Sequence, residues 1–276
     1  MKFHVITLFP EMVKAAAEIG VVGSAIKSGR IELTLTNPRE FTKDTHHMVD
    51  DRPFGGGDGM VMMAEPLAKS IRQIREKCQG KTKVIHLSPR GSVLNEKKVR
   101  ELASEENLIL ISSRYAGIDQ RLLSLEVDEE ISIGDFILSG GELGALVLID
   151  AIGRQIPGVL GNEASAEKES FSGDGWLEQP QFTRPREWDG QSVPETLMSG
   201  DHAKIADYQT MLSLLTTADR RPELLVTLES KMSEKKMAKL VQAAVSLAEK
   251  LSAEDAKNLG ISNPSSAALI LRKFVK

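Results

Sequence analysis

The sequence predicts an α/β fold, a parallel β-sheet covered by helices on both faces, followed by a small all-helical domain. Three observations lead there. Short apolar runs alternate with amphipathic stretches through residue 156. The runs are nearly continuous in apolar residues, as strands covered on both faces are. Beyond residue 192 each segment carries a helical period.

The elements follow in order. FHVITLF (3–9) reads as a buried strand and PEMVKAAAEIG as a helix after it. IELTLTN (31–37) is a second strand, followed by a long polar loop. EPLAKSIRQIREK (65–77) places apolar residues at 67, 68, 71 and 74, the spacing of one helix face. KVIHLS (83–88), NEKKVRELASEE (95–106) and LILISS (108–113) continue the alternation. EEISIG (129–134) and GGELGALVLIDAIGRQI (140–156) close it. The expected domains are 1–160, an interdomain linker over 161–192, and a helical domain over 193–276 that ends in an extended basic tail. In that last part HAKIADYQTMLSLLTTA is apolar at 205, 206, 211, 212, 214 and 215. SEKKMAKLVQAAVSLAEKL (233–251) aligns Met237, Leu240, Val241, Ala244 and Leu247 along one stripe. Ser252 with Asp255 resembles a capping box, and Asn263-Pro264 marks another helix start. The basic tail reads most simply as a solvated helical face.

Composition narrows the classes. With 276 residues, 41% hydrophobic and 27% charged, the chain is a globular protein with a sizeable core. Its one cysteine, Cys78, excludes an internal disulfide framework and CxxC zinc clusters, and fits a reducing cytoplasm. The N-terminal apolar run of about seven residues has the length of a buried strand and no small-residue cleavage site follows it, and no stretch of about 18 apolar residues predicts a membrane span. The net charge of −4 is unevenly spread: residues 155–230 carry −7 and residues 231–276 carry +5. Such a chain can still bind RNA through a local basic patch.

Parallel sheets bind ligands at the carboxyl ends of their strands. Three predicted ends are polar and contain glycine: HLSPRG (86–91), SSRYAGID (112–119) and SIGDFILSGGELG (132–144). None has GxGxxG spacing, and no GxxxxGK[ST] occurs, so dinucleotide and P-loop readings have little support. Glu142 beside Gly140-Gly141 would also repel a pyrophosphate. By itself the glycine pair is explained by a turn with φ > 0.

Together these segments carry a resemblance. RYAGID, IGDFILSGGEL, IPGVLG and DDRPFGGGDGM (50–60) are similar to the bacterial tRNA (guanine-N(1))-methyltransferases of the SPOUT superfamily. QFTRP (181–185), VPETLMSGDH (193–202) and RRPELL (220–225) extend the match to about residue 228. The resemblance implies a deep C-terminal trefoil knot in the α/β domain, a homodimer with its active site at the subunit interface, and bent S-adenosylmethionine held by the knot loops. It implies methyl transfer to N(1) of the guanosine at position 37 of tRNA, next to the anticodon, with the helical domain gripping the tRNA. The cofactor pocket would comprise Leu87, Ser88 and Pro89, then Ser113, Tyr115 and Gly117, then Ile133, Gly134, Asp135, Phe136, Ile137, Leu138, Gly140 and Gly141. Backbone groups there can read an adenine edge, and Ile133, Phe136 and Leu138 offer apolar walls.

Methylating N(1) requires a base for its proton and a cation for the charge that develops on the carbonyl oxygen. The resemblance assigns the base to Glu169, ahead of Glu163 and Glu167, and the cation to Arg154. Asp50 is the next candidate carboxylate. The loop with Arg52 and the flexible Gly55, Gly56, Gly57 and Gly59 is expected to fold around a nucleotide, and because ADYQTMLSLLTTAD lacks most of the basic residues relatives carry there, RNA docking is expected to rest on Arg184, Lys204 and Arg220. Arg186 and the basic tail are further docking candidates.

Four departures stand out. Glu169 replaces the family's aspartate, Ser113 its glycine, Gly144 a proline, and Ala116 a glutamate. The resemblance leaves room for magnesium, but Ala116 lacks the carboxylate that would organise it. Competing readings are a non-catalytic RNA-binding relative and a nucleotide-dependent oxidoreductase.

Overall fold

Strand β1 (Lys2–Ile6) shows how the sheet is built. Phe3 and Val5 enter one core cluster and Ile6 the other, the period-two alternation of a strand covered on both faces. The same division recurs in β6 (Asn107–Ile111), where Leu108 and Leu110 face one way and Ile109 and Ile111 the other. The computed structural model describes residues 1–161, 169–173, 175–225 and 233–274. The chain divides into two compact units, Met1–Glu163 and Ala164–Lys276.

In the first unit a five-stranded sheet runs in the order β2-β1-β6-β5-β7, all neighbours parallel. Here β2 is Glu32–Thr36, β5 is Thr82–Val93 and β7 is Glu129–Ser132. Helices α1 (Pro10–Ala17), α2 (Gly20–Lys27), α4 (Glu96–Ala103) and α6 (Glu142–Gly153) contribute to one core cluster; α3 (Ala64–Lys77) and α5 (Gln120–Glu126) contribute to the other. Each fully buried Leu, Ile or Phe contributes about 1.5–3 kcal/mol, so these two clusters carry the unit. Short polar side chains start the helices: Asn95 accepts from Lys98 N at 3.0 Å, and Asp119 from Arg121 N at 2.8 Å.

Sequence and structure differ at three places here. The stretch after β1 holds two helices, with α2 added after Gly20; its Val22, Gly23 and Ala25 are buried. GVVGSAIK has weak helix propensity, so packing decides its state. Helix α5 has seven residues, too few to show a clear period. Strand β5 runs five residues past Ser88. Its pairing with β7 slips, so that both Leu87 and Ser92 lie opposite Ile131. Ser88 to Gly91 are thereby extruded as a bulge at the sheet's carboxyl edge. Gly91 permits it, since a Cβ there would lie 2.3 Å from the Glu130 carbonyl carbon.

The second unit is built on α7 (His202–Arg220), α8 (Glu234–Lys250), α9 (Ala253–Asn258) and α10 (Pro264–Arg272). Residues expected in a linker join its core: Trp176 is buried there and Phe182 packs against it. Glu187–Trp188 and Gln191–Ser192 form a hairpin, β8 and β9, around Asp189-Gly190. Asp-Gly is a hairpin turn signal, but its flanks lack apolar alternation. The basic C-terminal segment packs on one face and keeps its charges on the other, with Glu234, Lys235, Lys236 and Lys239 exposed. Leu240, Val241, Ala244, Val245, Ala248, Ala267, Ala268 and Leu271 are buried with Leu212 and Leu215 of α7. The expected stripe is turned slightly, with Met237 and Leu247 at the rim. Asp219 accepts from Ser262 N and Asn263 N, both at 2.8 Å, tying the start of α10 to α7. Residues 162–168, with Glu163 and Glu167, lie outside the described residues, as do 226–232 at the start of the basic segment.

Candidate functional site

Because β6, β5 and β7 are neighbours and parallel, their carboxyl ends lie side by side. The three glycine-bearing segments leave from these ends and enclose one cleft of about 380 Å³. Leu87, Ser88 and Pro89 line it from the β5 bulge; Ser113, Tyr115 and Gly117 from the loop after β6; Ile133, Gly134, Phe136, Ile137, Leu138, Gly140 and Gly141 from the loop after β7. Asp135 is exposed and does not line it. Ala116 does, as does Gly144, where a Cβ would come within 3.2 Å of Leu87 Cδ1.

The glycine pair serves close approach, not the positive φ that a simple turn would demand. Gly141 has φ −79° and ψ −5°, and neither glycine has positive φ. A Cβ on Gly140 would fall 2.2 Å from Arg114 Nε; one on Gly141 would fall 2.7 Å from Ser112 Cα. Gly141 N donates to Ser113 O at 2.9 Å, joining the second and third loops.

An ion pair between a buried carboxylate and a partly exposed guanidinium lies beneath this joint. Glu142 is 1% exposed, accepts from Thr7 Oγ1 at 2.9 Å, and stands 3.0 Å from Arg114 Nη2. That contact is an ion pair rather than an aligned hydrogen bond, since Glu142 Oε2 accepts none. Arg114 also donates to Ser139 O and lies 4.5 Å over the Phe9 ring. Glu142 therefore anchors β1, the second loop and the third together.

A polar chain runs along the opposite wall. His86 Nδ1 lies 3.0 Å from Glu130 Oε1, its Nε2 lies 2.9 Å from Ser113 Oγ, and Arg90 reaches Glu130 at 3.5 Å. Burial pushes the His86 imidazole below its ordinary value, against the opposing pull of Glu130. Burial works against an ionised Glu130, yet its bonds to His86 and Ser88, with the charge of Arg90, hold its carboxyl below the usual range.

The glycine-rich loop is pinned beside the cleft. It leaves from β3 (Asp50–Asp51) and returns through β4 (Val61–Met62), which pair antiparallel. Ala116 N donates to Met60 O and Met62 N to Gly117 O, both at 2.9 Å. Between these anchors Gly55, Gly56, Gly57 and Gly59 all have positive φ, so only glycine fits without strain. Phe54 at its head is fully exposed, and Arg52 is exposed. Burial, then the charge and hydrogen bond of Asp50, pushes the Tyr115 phenol up, which places Asp50 against a cleft residue.

Arg154 caps the C-terminus of α6, its N–H donating to Asp150 O at 3.1 Å. Glu169 belongs to the second unit. Its carbonyl accepts from Ser172 N at 3.1 Å, in a loop docked on α7 through buried Trp176 and the Leu177 N to Thr217 Oγ1 bond. Arg184 and Arg186 are exposed and line a shallow groove with Phe182 and Ile205. Lys204 pairs with Asp201 at 3.6 Å, and Arg220 donates to Gly260 O at 2.7 Å, which also serves the turn before α10.

Sequence reasoning gave no part in the site to His86, Glu130 and Arg114, and took Glu142 only as a poor neighbour for a pyrophosphate. His86 and Arg114 stood inside the quoted segments, but their partners are 44 and 28 residues away along the chain. Among the described residues no group of three or more His, Cys, Asp or Glu could hold a metal ion. No described helix is long and apolar enough to cross a membrane.

Comparison with known proteins is consistent in one direction. The family model described as tRNA (Guanine-1)-methyltransferase TrmD matches residues 1–227. A protein of Pseudoalteromonas atlantica named tRNA (guanine-N(1)-)-methyltransferase is 52% identical over 223 residues, 81% of this chain and 84% of its own. Proteins of the same name are 54% identical over 221 residues in Aliivibrio salmonicida (80% and 88%) and 51% over 237 in Pseudomonas savastanoi (86% and 94%).

Proposed function

The chain belongs to the tRNA (guanine-1)-methyltransferase TrmD family, and on that footing we propose that it transfers a methyl group from S-adenosylmethionine to N(1) of guanosine 37 in tRNA, beside the anticodon. The observation that carries this reading is the convergence of three separate glycine-bearing segments on one cleft. Its apolar walls, and glycines whose Cβ atoms would collide with the neighbouring loops, fit a flat heterocycle held by backbone groups.

Leu87 to Pro89, Ser113 to Gly117 and Ile133 to Gly141 would hold the cofactor, which when bound supplies an electrophilic methyl on a sulfonium. Glu169 takes the N(1) proton of guanine, freeing the ring lone pair to form the new bond. Arg154 stabilises the negative charge that develops on the carbonyl oxygen. Asp50 stands in reserve beside Tyr115. The loop around Gly55–Gly59, with Arg52, folds over the target nucleotide, and Arg184, Lys204 and Arg220 meet tRNA phosphates. Ala116 presents a methyl group to the cleft, and no step is routed through magnesium.

The reading includes a trefoil knot through the loops that follow β5, β6 and β7, a tRNA-gripping helical second unit, and work in the cytoplasm. It also includes a homodimer. Phe9, Ile19, Ile137, Leu143 and Val147 of the first unit are large apolar residues 44% or more exposed, which favours a second copy covering them.

The test is transfer of labelled methyl to unmodified tRNA with and without guanosine at position 37. Product only on the former is expected. Arg154→Ala and Glu169→Ala each should lower turnover on the order of 10²-fold or more while S-adenosylhomocysteine still binds. Full activity in Glu169→Ala would move the base to Asp50. Mixed dimers of the two variants should recover activity if each site draws on both chains.

A further inference from the structure

The second unit carries two grooves of similar size and opposite charge. One, of about 380 Å³, is lined by Glu195, Glu254 and Asp255 and, among the described residues, by no lysine or arginine, so it repels a phosphate. The other, of about 410 Å³, is lined by Arg184 and Arg186 and by no described carboxylate. Residues 155–230 carry a net −7, so two arginines meeting without an acid run against the local composition. Neither arginine joins an ion pair among the described residues.

Three elements build this second groove. Phe182 precedes the arginines and packs against the core of the unit. Leu197 and Met198 come from the turn Glu195–Met198; Ile205 and Gln209 come from α7, four residues apart and so on one helix face. Val193 N donates to Arg186 O at 2.9 Å, holding the arginine rim to the far end of the β8–β9 hairpin. The result is an apolar floor under a cationic edge. The Gln181 amide is engaged by Glu178, whereas that of Gln209 has no partner among the described residues and keeps both donor and acceptor for a ligand.

We propose that this groove holds one unstacked nucleotide of the tRNA, its base on the apolar floor with Gln209 at its edge, and its phosphate on Arg184 and Arg186. An apolar floor alone would accept many side chains, and two arginines alone any polyanion. Together they match a ligand that presents a flat ring and a negative charge close to each other. Bases inside a duplex are stacked and paired and cannot lie on the floor, so the occupant comes from a loop or an end of the tRNA. The proposal rests on the tRNA reading above and deepens it.

The methyl resonances of Met198 and Ile205 in the full chain are followed as unmodified tRNA is added. A base on the floor should move both upfield through its ring current. Arg186→Ala should lower the slope of log affinity against log salt by about 0.7, the worth of one single-strand phosphate. Phe182→Leu, which keeps an apolar side chain against the core, should weaken tRNA binding about tenfold. Glu195→Gln, in the acidic groove, should leave the salt slope unchanged. Methyl resonances that stay in place, or a slope unchanged in Arg186→Ala, overturn the proposal, while methylation of guanosine 37 by the same unaltered chain leaves the tRNA reading standing. Failure of the unaltered chain to bind tRNA overturns both.

Discussion

Replacing Gly141 by alanine sets a local rule against a tertiary one. The residue has helical dihedrals, φ −79° and ψ −5°, where alanine is unstrained and stabilises by about 0.4–1 kcal/mol through the unfolded chain. Its Cβ, however, would lie 2.7 Å from Ser112 Cα and 3.1 Å from Ser113 N. Both are backbone atoms at the end of β6, and neither can rotate away. Overpacking of this kind costs about 1–3 kcal/mol. The expected net effect of Gly141→Ala is a loss of about 1.3 kcal/mol in the first unit, the difference between the midpoints of those two ranges. Trp176 and Trp188 both lie in the second unit, so tryptophan fluorescence serves as an internal control. Native-state hydrogen exchange in β6 and α6 is the assay. Exchange there should quicken about tenfold with the fluorescence unfolding curve unchanged. Equal or slower exchange would refute the close-approach reasoning and return Gly141 to a simple turn role.

Three further outcomes are expected. Burial holds His86 and His4 below the ordinary histidine value of 6.5, so the unfolded chain takes up these protons first. Stability of the first unit is therefore full above about pH 6.5 and declines as pH falls from there through the native pKa values; circular-dichroism melts should show the slope, flattened in His86→Phe. Asp219→Ala removes the acceptor of two 2.8 Å bonds at the start of α10 and should cost about 1–3 kcal/mol, read by Trp176 fluorescence during denaturation. Gly56→Ala meets nothing within 4 Å but sits at φ +77°, a cost of roughly 1–2 kcal/mol confined to an exposed loop. Methyl transfer should then show a raised KM for tRNA with an unchanged melting temperature.

Much of this architecture was legible one element at a time. Strands such as Leu108–Ile111 are apolar at every position because both faces are covered. Asn95, Ser252 and Asn263 cap helices where such residues usually do. The three segments were visible as glycine-bearing strand ends and the family resemblance named their residues, all but Asp135 reaching the cleft. What escaped was short, weakly periodic or dependent on a distant partner: α5 with seven residues, α2 with its glycines, and the bulge in β5 that only its pairing with β7 reveals.

The sequence by itself determined the longer strands and helices, their order, and the family, because periodicity, capping and motif order are local properties of the chain. The tertiary structure alone decided why particular residues are needed. Gly140 and Gly141 look like a turn in sequence, yet they are small because Arg114 and Ser112 press against them. Glu142 looks like a helix-start carboxylate, yet it is a buried anchor for Thr7 and Arg114. Ser113 looks like a tolerated replacement for glycine, yet its hydroxyl meets His86, which in turn meets Glu130. The physical reason is the same in each case: steric exclusion and hydrogen bonding act over a few ångströms in space, between residues that the chain keeps far apart.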